Sequence, residues 1–374
     1  MNKKPHILFL YSDTGGGHRS AALAIIEALE AYFPDQVTTE MIDFFEAYAP
    51  PPFDKAAEAY SVMAEVPNLW ELGYRLSNGK YRSKLVYDVL WPYIRKAAAN
   101  LVHEHPCDMF VSVHPIINTP LLRIMGEEHK PYVIVITDLV STHAFWYNRD
   151  ATLTLSPTQE AKQRGVSLGV PEDKIEVFGQ PISDHFRQPI LPKDVLRSQL
   201  GWPQDLPVIL MVGGGEGMGP LEETVLAVDK ASLPLMMAVV TGRNQKLKTR
   251  LENAGLKTPN QIFGFVENMP QLMFAADAIV TKAGPGTISE AFIAGLPIIL
   301  YSRMPGQEEG NVLFVVEKEV GVWAPEPQQV VETLHDWINH PEIIKNMAEK
   351  SRSYARPDAS RDIAERIIQI VQQQ

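Results

Sequence analysis

In YSDTGGGHRSAALAI three consecutive glycines end on His18, at the point where an apolar strand-like run gives way to a helical pattern. Glycine lets backbone approach a ligand closely. A helix starting there directs free N–H groups and a positive dipole end at whatever lies in front of it. An imidazole titrates near neutrality, so His18, beside Gly16 and Gly17 at the floor of a possible cleft, is placed to act as a base toward a ligand there. The plain alternative is a tight strand–helix turn with a surface histidine beside it. Asp138 in TDL and His143 in STHAFW are rivals for that base or its orienting partners, and His114, before Pro115, either joins them or only packs nearby.

The second half carries a different chemistry. VGGGEGMGP offers Gly214 and Gly215, and in TKAGPGTISEA Gly284, Pro285 and Gly286 turn the chain before Thr287 and Ser289 open a helix. Backbone amides and hydroxyls at such a turn form a phosphate site. Glu290, expected in the first turn of that helix, would repel phosphate but accept hydrogen bonds from sugar hydroxyls. Gln307, Glu308 and Asn311 in MPGQEEGN suit a polyol better than an anion, and Arg243 in VTGRNQKL could face a diphosphate. DTGGGH lacks both the spacing of a dinucleotide fingerprint and the lysine of a phosphate loop, and no Asp-x-Asp occurs, so neither a metal nor a cofactor is indicated.

These residues need rigid elements behind them. HILFLYS, DMFVSVH, YVIVITD, ATLTLSP and KIEVFGQP read as strands in the first half; VILMVGGG, LMMAVVTG, QIFGFV, AIVTKAG and PIILYS do so in the second. Near-continuous Val/Ile runs alternating with helical patterns predict parallel sheets covered on both faces. The proline-rich stretch GQPISDHFRQPILPKDVLRSQLGWPQDLP has no strong period and reads as an interdomain connection, with a hinge around 183–200. The expectation is two doubly wound α/β domains facing a cleft: 1–186, then 187–356, with a helix over 357–374 returning to the first domain and capped near Asp358 or Ser360. Ligands of such sheets lie beyond the carboxyl ends of the strands, where both glycine clusters fall.

The chain has 374 residues, a net charge of -11 and a single cysteine, Cys107. No intrachain disulfide is possible, which favours a reducing compartment. The acidic balance argues against nucleic acid as a partner, and no stretch approaches the roughly 20 apolar residues of a membrane span.

The motifs GGGHRSAA, NLWELGYRLSNGKY, VSVHPIINTP, VITDLVSTHAFWY, LMVGGGEGMGP, GRNQKL, TKAGPGTISEAFIAGLPIIL and PGQEEGNVLFVVE, in this order, resemble the GT-B glycosyltransferases of family 28. They are most similar to the monogalactosyldiacylglycerol synthases and span most of the chain. The resemblance implies two Rossmann-like domains. The second would bind UDP-sugar: Phe265 near uracil, Glu290 on the ribose, Gly286 and Thr287 at phosphate, Arg243, Gly214 and Gly215 along the diphosphate, and Gln307 and Glu308 on the hexose. The first would take diacylglycerol with His18 beside its hydroxyl. Transfer would invert the anomeric centre without a metal. Galactose is the expected sugar, with glucose as the alternative; a peptidoglycan-type N-acetylglucosaminyl transferase and a non-catalytic UDP-sugar sensor are the remaining readings.

The segment from Pro50 to Lys96 is rich in aromatic residues, and between 73 and 100 six basic residues face one acid, Asp88. Aromatic and basic side chains together suit a bilayer interface, although a helical insertion packed on the sheet would look similar. Trp70, Tyr74, Tyr81, Trp91 and Tyr93, with Arg82 and Lys84, are the candidates for contact with acyl chains and anionic lipid. The expected location is cytoplasmic, peripheral on the inner face of the cell membrane.

Overall fold

The structure, a computed structural model, describes residues 3–13, 16–51, 67–127, 129–187, 191–217 and 219–373. The chain forms two compact units. One comprises Met1–Asp184, Pro305–Gln307 and Asp358–Gln374; the other comprises His185–Met304 and Glu308–Pro357. The sequence reading assigned residues 305–307 to the second domain, whereas that short loop clusters with the first unit.

The first unit holds a parallel sheet of β1 (His6–Tyr11), β2 (Thr38–Asp43), β3 (Met109–Ser112), β4 (Tyr132–Val135), β5 (Leu153–Ser156) and β6 (Ile175–Val177), in the order β2-β1-β3-β4-β5-β6. In β1, Leu8 and Leu10 feed one core cluster, while Ile7 and Phe9 feed another on the opposite face. Side chains alternate along a strand, so a continuous apolar run fits a sheet covered twice. Each such side chain contributes about 1.5–3 kcal/mol on full burial.

The second unit holds β7 (Val208–Val212), β8 (Met236–Val240), β9 (Asn260–Phe263), β10 (Ala278–Lys282), β11 (Ile298–Ser302) and β12 (Gly321–Trp323), ordered β12-β11-β10-β7-β8-β9. In each sheet the strand order reverses beside the first strand, between β1 and β3 and between β7 and β10. These are the switch points where a doubly wound sheet leaves room for ligand.

The helix Ala359–Gln372 belongs to the first unit, where Ile363, Ile367 and Ile368 join the core of Ile25 and Leu29 from the helix Gly17–Tyr32. The expected cap differs in detail. Asp358 occupies the N-cap position without a side-chain cap hydrogen bond and pairs with Arg361 at 3.3 Å. The Ser360 hydroxyl instead donates to the Ile182 carbonyl at 2.7 Å and accepts from its N–H at 3.0 Å.

The proline-rich connection is more ordered than its composition suggested. It includes the helix Lys193–Leu200, whose buried Arg197 donates to the Ala275 carbonyl at 2.9 Å and pairs with Asp277. Lys193 and Arg197, with the Val208 N–H, overcome the burial that would raise Asp277 and hold its carboxyl below the usual range. Residues 188–190 of the expected hinge lie outside the described residues.

Candidate active site

In the first unit the site is built on the carboxyl ends of β1, β3 and β4. After β1, Gly16 takes a left-handed φ of 77° as N-cap of the helix Gly17–Tyr32, and no side chain caps that end. His18 therefore sits in the first helical turn, with Nδ1 2.8 Å from Thr137 Oγ1 just beyond β4. The Thr137 carbonyl accepts from Gln180 Nε2 at 3.1 Å, which fixes that strand end in turn. Burial pushes His18 down to about 4, opposed only in part by a hydrogen bond to the Val113 backbone. His114, after β3, stands edge-on to His18 with ring centres 4.8 Å apart. Burial, and then the neighbouring His18, hold His114 well below the usual imidazole value. Both rings are thus neutral at pH 7, and a neutral imidazole can accept a proton.

Asp138 and His143, the other two residues considered as bases, are committed elsewhere. Asp138 is buried; its Oδ2 accepts the Trp146 indole N–H at 2.6 Å, and its Oδ1 accepts from Gln307 Nε2 at 3.0 Å. His143 Nδ1 accepts the Phe145 N–H at 3.1 Å, and its Nε2 lies 3.1 Å from Ser77 Oγ. Burial pushes His143 down to about 4. With both nitrogens engaged, this ring braces the loop after β4 against the helix Pro67–Ser77.

In the second unit the glycine candidates and Arg243 follow the carboxyl ends of β7, β8 and β10, while Glu290 and Asn311 lie within the helices after β10 and β11. Gly214, after β7, has a φ of 73°, and a Cβ there would lie 3.1 Å from Lys282 Cε. Gly242, after β8, has a φ of 59°, and a Cβ would fall 2.3 Å from the Gly215 carbonyl oxygen. The loop after β8 therefore fits against the loop after β7 only because position 242 is glycine. The Arg243 N–H donates to the Gly215 carbonyl at 2.8 Å, its Nη1 to Glu216 at 2.6 Å, and its guanidinium carbon lies 4.9 Å from the centre of the Phe265 ring.

Lys282 closes β10 and donates to Glu308 Oε1 at 2.8 Å, while Glu308 Oε2 accepts the Met304 N–H at 2.7 Å. Asn311 donates to the Ala283 carbonyl at 2.8 Å and so braces the same turn. The helix Pro285–Ala294 starts on Gly284 with no side-chain cap, and Gly286 and Thr287 form its first turn. Such an uncapped N-terminus attracts anions. Because the helix begins at Pro285, Glu290 falls in the second turn, not the first as expected. Burial pushes Glu290 up to about 7.

The aromatic segment forms the helices Pro67–Ser77 and Lys80–Glu104; residues 52–66 lie outside the described residues. Its aromatic candidates divide. Tyr74 donates to the Ser141 carbonyl at 2.6 Å, Trp91 lies under the Arg123 guanidinium at 4.3 Å, and Trp70 is half-buried. These three point into the fold. The outward face consists of Leu72, Leu76, Tyr81, Leu85, Val89 and Tyr93, between 54 and 82% exposed. The last four recur every fourth residue on one helix face, with exposed Arg82, Lys84, Arg95 and Lys96 beside them. Among the described residues no helix is long and apolar enough to cross a membrane, and no three His, Cys, Asp or Glu side chains are grouped to hold a metal ion.

Residues 18–182 match the family described as monogalactosyldiacylglycerol (MGDG) synthase, and residues 208–367 match the glycosyltransferase family 28 C-terminal domain. Monogalactosyldiacylglycerol synthase 3, chloroplastic, of Arabidopsis thaliana is 36% identical over 380 residues, covering 98% of this chain and 82% of that protein. A probable monogalactosyldiacylglycerol synthase of Glycine max is 35% identical over 383 residues, covering 99% of this chain and 72% of that protein. The chain belongs to the monogalactosyldiacylglycerol synthase family.

Solved structures agree on the fold. Acinetobacter baumannii MurG superposes with a TM-score of 0.60 at 17% identity, covering 99% of this chain and 100% of that one. The S. aureus MnaA–UDP complex gives 0.65 at 15% identity over 97% of this chain and 96% of that one. The fold is GT-B, two α/β units each built on a parallel sheet.

Within this family member, three residues near the candidate site carried no role in the sequence reading. Lys282 adjoins Gly214, Gly284 and Glu308. A lone lysine closing a strand immediately before a glycine turn was the available signal. Thr137 holds His18 through a hydrogen bond between residues distant in sequence, while Trp146 holds Asp138 within the loop after β4, and nothing in the sequence around them announces those partners.

Proposed function

We propose that the protein transfers a hexose, galactose in the first instance, from a UDP-sugar to the free hydroxyl of 1,2-diacylglycerol. The observation that carries this reading is His18: an imidazole kept neutral, tied through Nδ1 to Thr137, at the mouth of an uncapped helix. His18 takes the proton of the acceptor hydroxyl as its oxygen bonds to the anomeric carbon. The bond from that carbon to the β-phosphate oxygen breaks on the opposite face, so UDP leaves with the electron pair and the product is the β-glycoside. General-base help of this kind contributes roughly 10²- to 10⁴-fold.

The departing diphosphate needs charge neutralisation at its own end. Lys282, Arg243 and the N-terminus of the helix Pro285–Ala294 supply it, without a metal. Glu290 accepts the ribose hydroxyls, and Phe265 lies beside the base. Gln307 and Glu308 face the hexose, and Asn311 braces the loop that carries them. On the acceptor side, Gly16 and Gly17 leave room for the lipid headgroup, with His114 beside it. The exposed stripe Leu72, Leu76, Tyr81, Leu85, Val89 and Tyr93 rests in the bilayer interface while Arg82 and Lys84 meet anionic headgroups, a peripheral attachment.

Labelled UDP-galactose and UDP-glucose, each incubated with the full chain and dioleoylglycerol vesicles, test the reading. A β-galactosyl diacylglycerol, formed on the order of 10²- to 10⁴-fold more slowly by His18→Ala, is the expected product. A glucolipid made in preference would change the sugar and keep the reaction. UDP binding without lipid product from either donor would leave a sensor and refute the transferase.

A further inference from the structure

Gln307 has one end of its amide committed and the other unmet. Nε2 donates to Asp138 Oδ1 at 3.0 Å, whereas Oε1 is buried with no hydrogen-bond partner. The carboxylate that holds it is itself held: Asp138 is 6% exposed, and its second oxygen accepts the Trp146 indole N–H at 2.6 Å. Trp146 is fully buried and donates only. The loop is packed close as well, since Gly306 has a φ of 80° and a Cβ there would lie 2.9 Å from the Tyr74 ring. A carboxylate only accepts hydrogen bonds. Turning the amide round would therefore set Oε1 against Oδ1, acceptor on acceptor, and is disfavoured. A buried acceptor left without a donor is costly and uncommon in a finished structure. A ligand hydroxyl is a donor that would satisfy it.

We infer that Asp138 is a positioning residue for sugar recognition: it fixes the Gln307 amide so that Oε1, an acceptor, meets one hydroxyl of the donor hexose. This rests on the reading of Gln307 as part of the hexose site. Asp138 itself does not touch the sugar. Thr137 and Asp138, adjacent at the end of β4, then hold the base and the sugar-reading amide respectively.

The test titrates UDP, UDP-galactose and UDP-glucose into the full chain and its variants. Asp138→Asn offers one acceptor oxygen where two donors need one, so the preferred UDP-hexose should bind about tenfold more weakly, about 1.4 kcal/mol. UDP alone should stay within about twofold, since it lacks the hexose. Gln307→Ala should do the same, and the double variant should be no weaker than Gln307→Ala, because both changes remove one contact. In turnover the loss should appear in KM for the donor and not in kcat.

A second measurement needs no variant. Fluorine cannot donate a hydrogen bond, so at one hexose position the fluoro donor should bind wild type as weakly as the deoxy donor. Wild-type affinity in Asp138→Asn, multiplying losses in the double variant, or fluoro donors that keep full affinity at every position would each overturn the inference. The broader reading fails differently. A wild type that binds UDP-hexose with this pattern yet forms no glycolipid would refute the transferase and leave the role of Asp138 standing. A Gln307→Ala chain that binds UDP-hexose normally would remove Gln307, and Asp138 with it, from the hexose site.

Discussion

Burial moves His18 and Glu290 in opposite directions, and each shift has a pH signature. The folded chain keeps His18 and His143 near 4, below the ordinary imidazole value of about 6.5. Between those values the unfolded chain binds more protons, so stability should fall as pH drops through that window. A urea midpoint that declines from pH 7 to pH 4, less steeply in His143→Asn, checks this. Glu290 runs the other way, near 7 against 4.5. The folded chain holds the extra proton between those values, so this group's contribution to stability is lost as pH rises through them. Its carboxylate form is the better acceptor, so KM for the UDP-sugar should fall between pH 6 and 8, and Glu290→Gln should flatten that trend. His18→Ala should lower kcat by on the order of 10²- to 10⁴-fold with UDP affinity kept. The chemical types of these residues can be read from the chain, but their titration cannot, because burial is decided by residues far away in sequence. Lys282 escaped notice for the same reason: its meaning comes from Glu308, which another strand delivers.

Among the elements, the apolar runs marked most strands, and two went unread. β2 carries Thr38, Thr39 and Glu40 at one sheet edge, and β12 has three residues at the other sheet's edge. Edge strands are only half-covered and shorter, so their sequence loses the continuous Val/Ile signature. Loop geometry is legible only as glycine content; the approach of Gly242 to the Gly215 carbonyl is set by how β7 and β8 pair, which the glycines alone do not encode. Gly242→Ala should cost about 1–3 kcal/mol, a strained left-handed φ with a clash added, seen as a lower melting temperature and weaker UDP binding. The outward stripe on the helix Lys80–Glu104 makes a separate claim. Leu85→Glu with Val89→Glu should abolish vesicle flotation and leave the melting temperature within a degree or two, since both residues are already exposed. Reversing Arg82 and Lys84 to glutamate should weaken flotation on anionic vesicles and spare neutral ones.

For the whole molecule, the division into two units followed from one observation available in the chain: alternation of strand and helix stops at a proline-rich stretch and restarts. What could not be read is that Pro305–Gln307 clusters with the first unit, since a three-residue loop has no pattern of its own. The helix Ala359–Gln372 buries Ile363, Ala364, Ile367 and Ile368 in the first unit's core. Removing residues 358–374 should therefore destabilise that unit by several kcal/mol, on the scale of about 1.5–3 kcal/mol for each large apolar side chain lost. The measurable outcome is an early first unfolding transition, or loss of soluble protein, while the second unit's transition is little changed.

The return of that helix also sets an order of events during synthesis. The apolar face of Gly17–Tyr32 leaves the ribosome before the whole of the second unit, and the residues that cover it follow that unit. The nascent first unit must wait, incompletely closed, while the second unit emerges and folds. Cells making this protein should accordingly show chaperones engaged on the first unit until residues 359–372 have emerged.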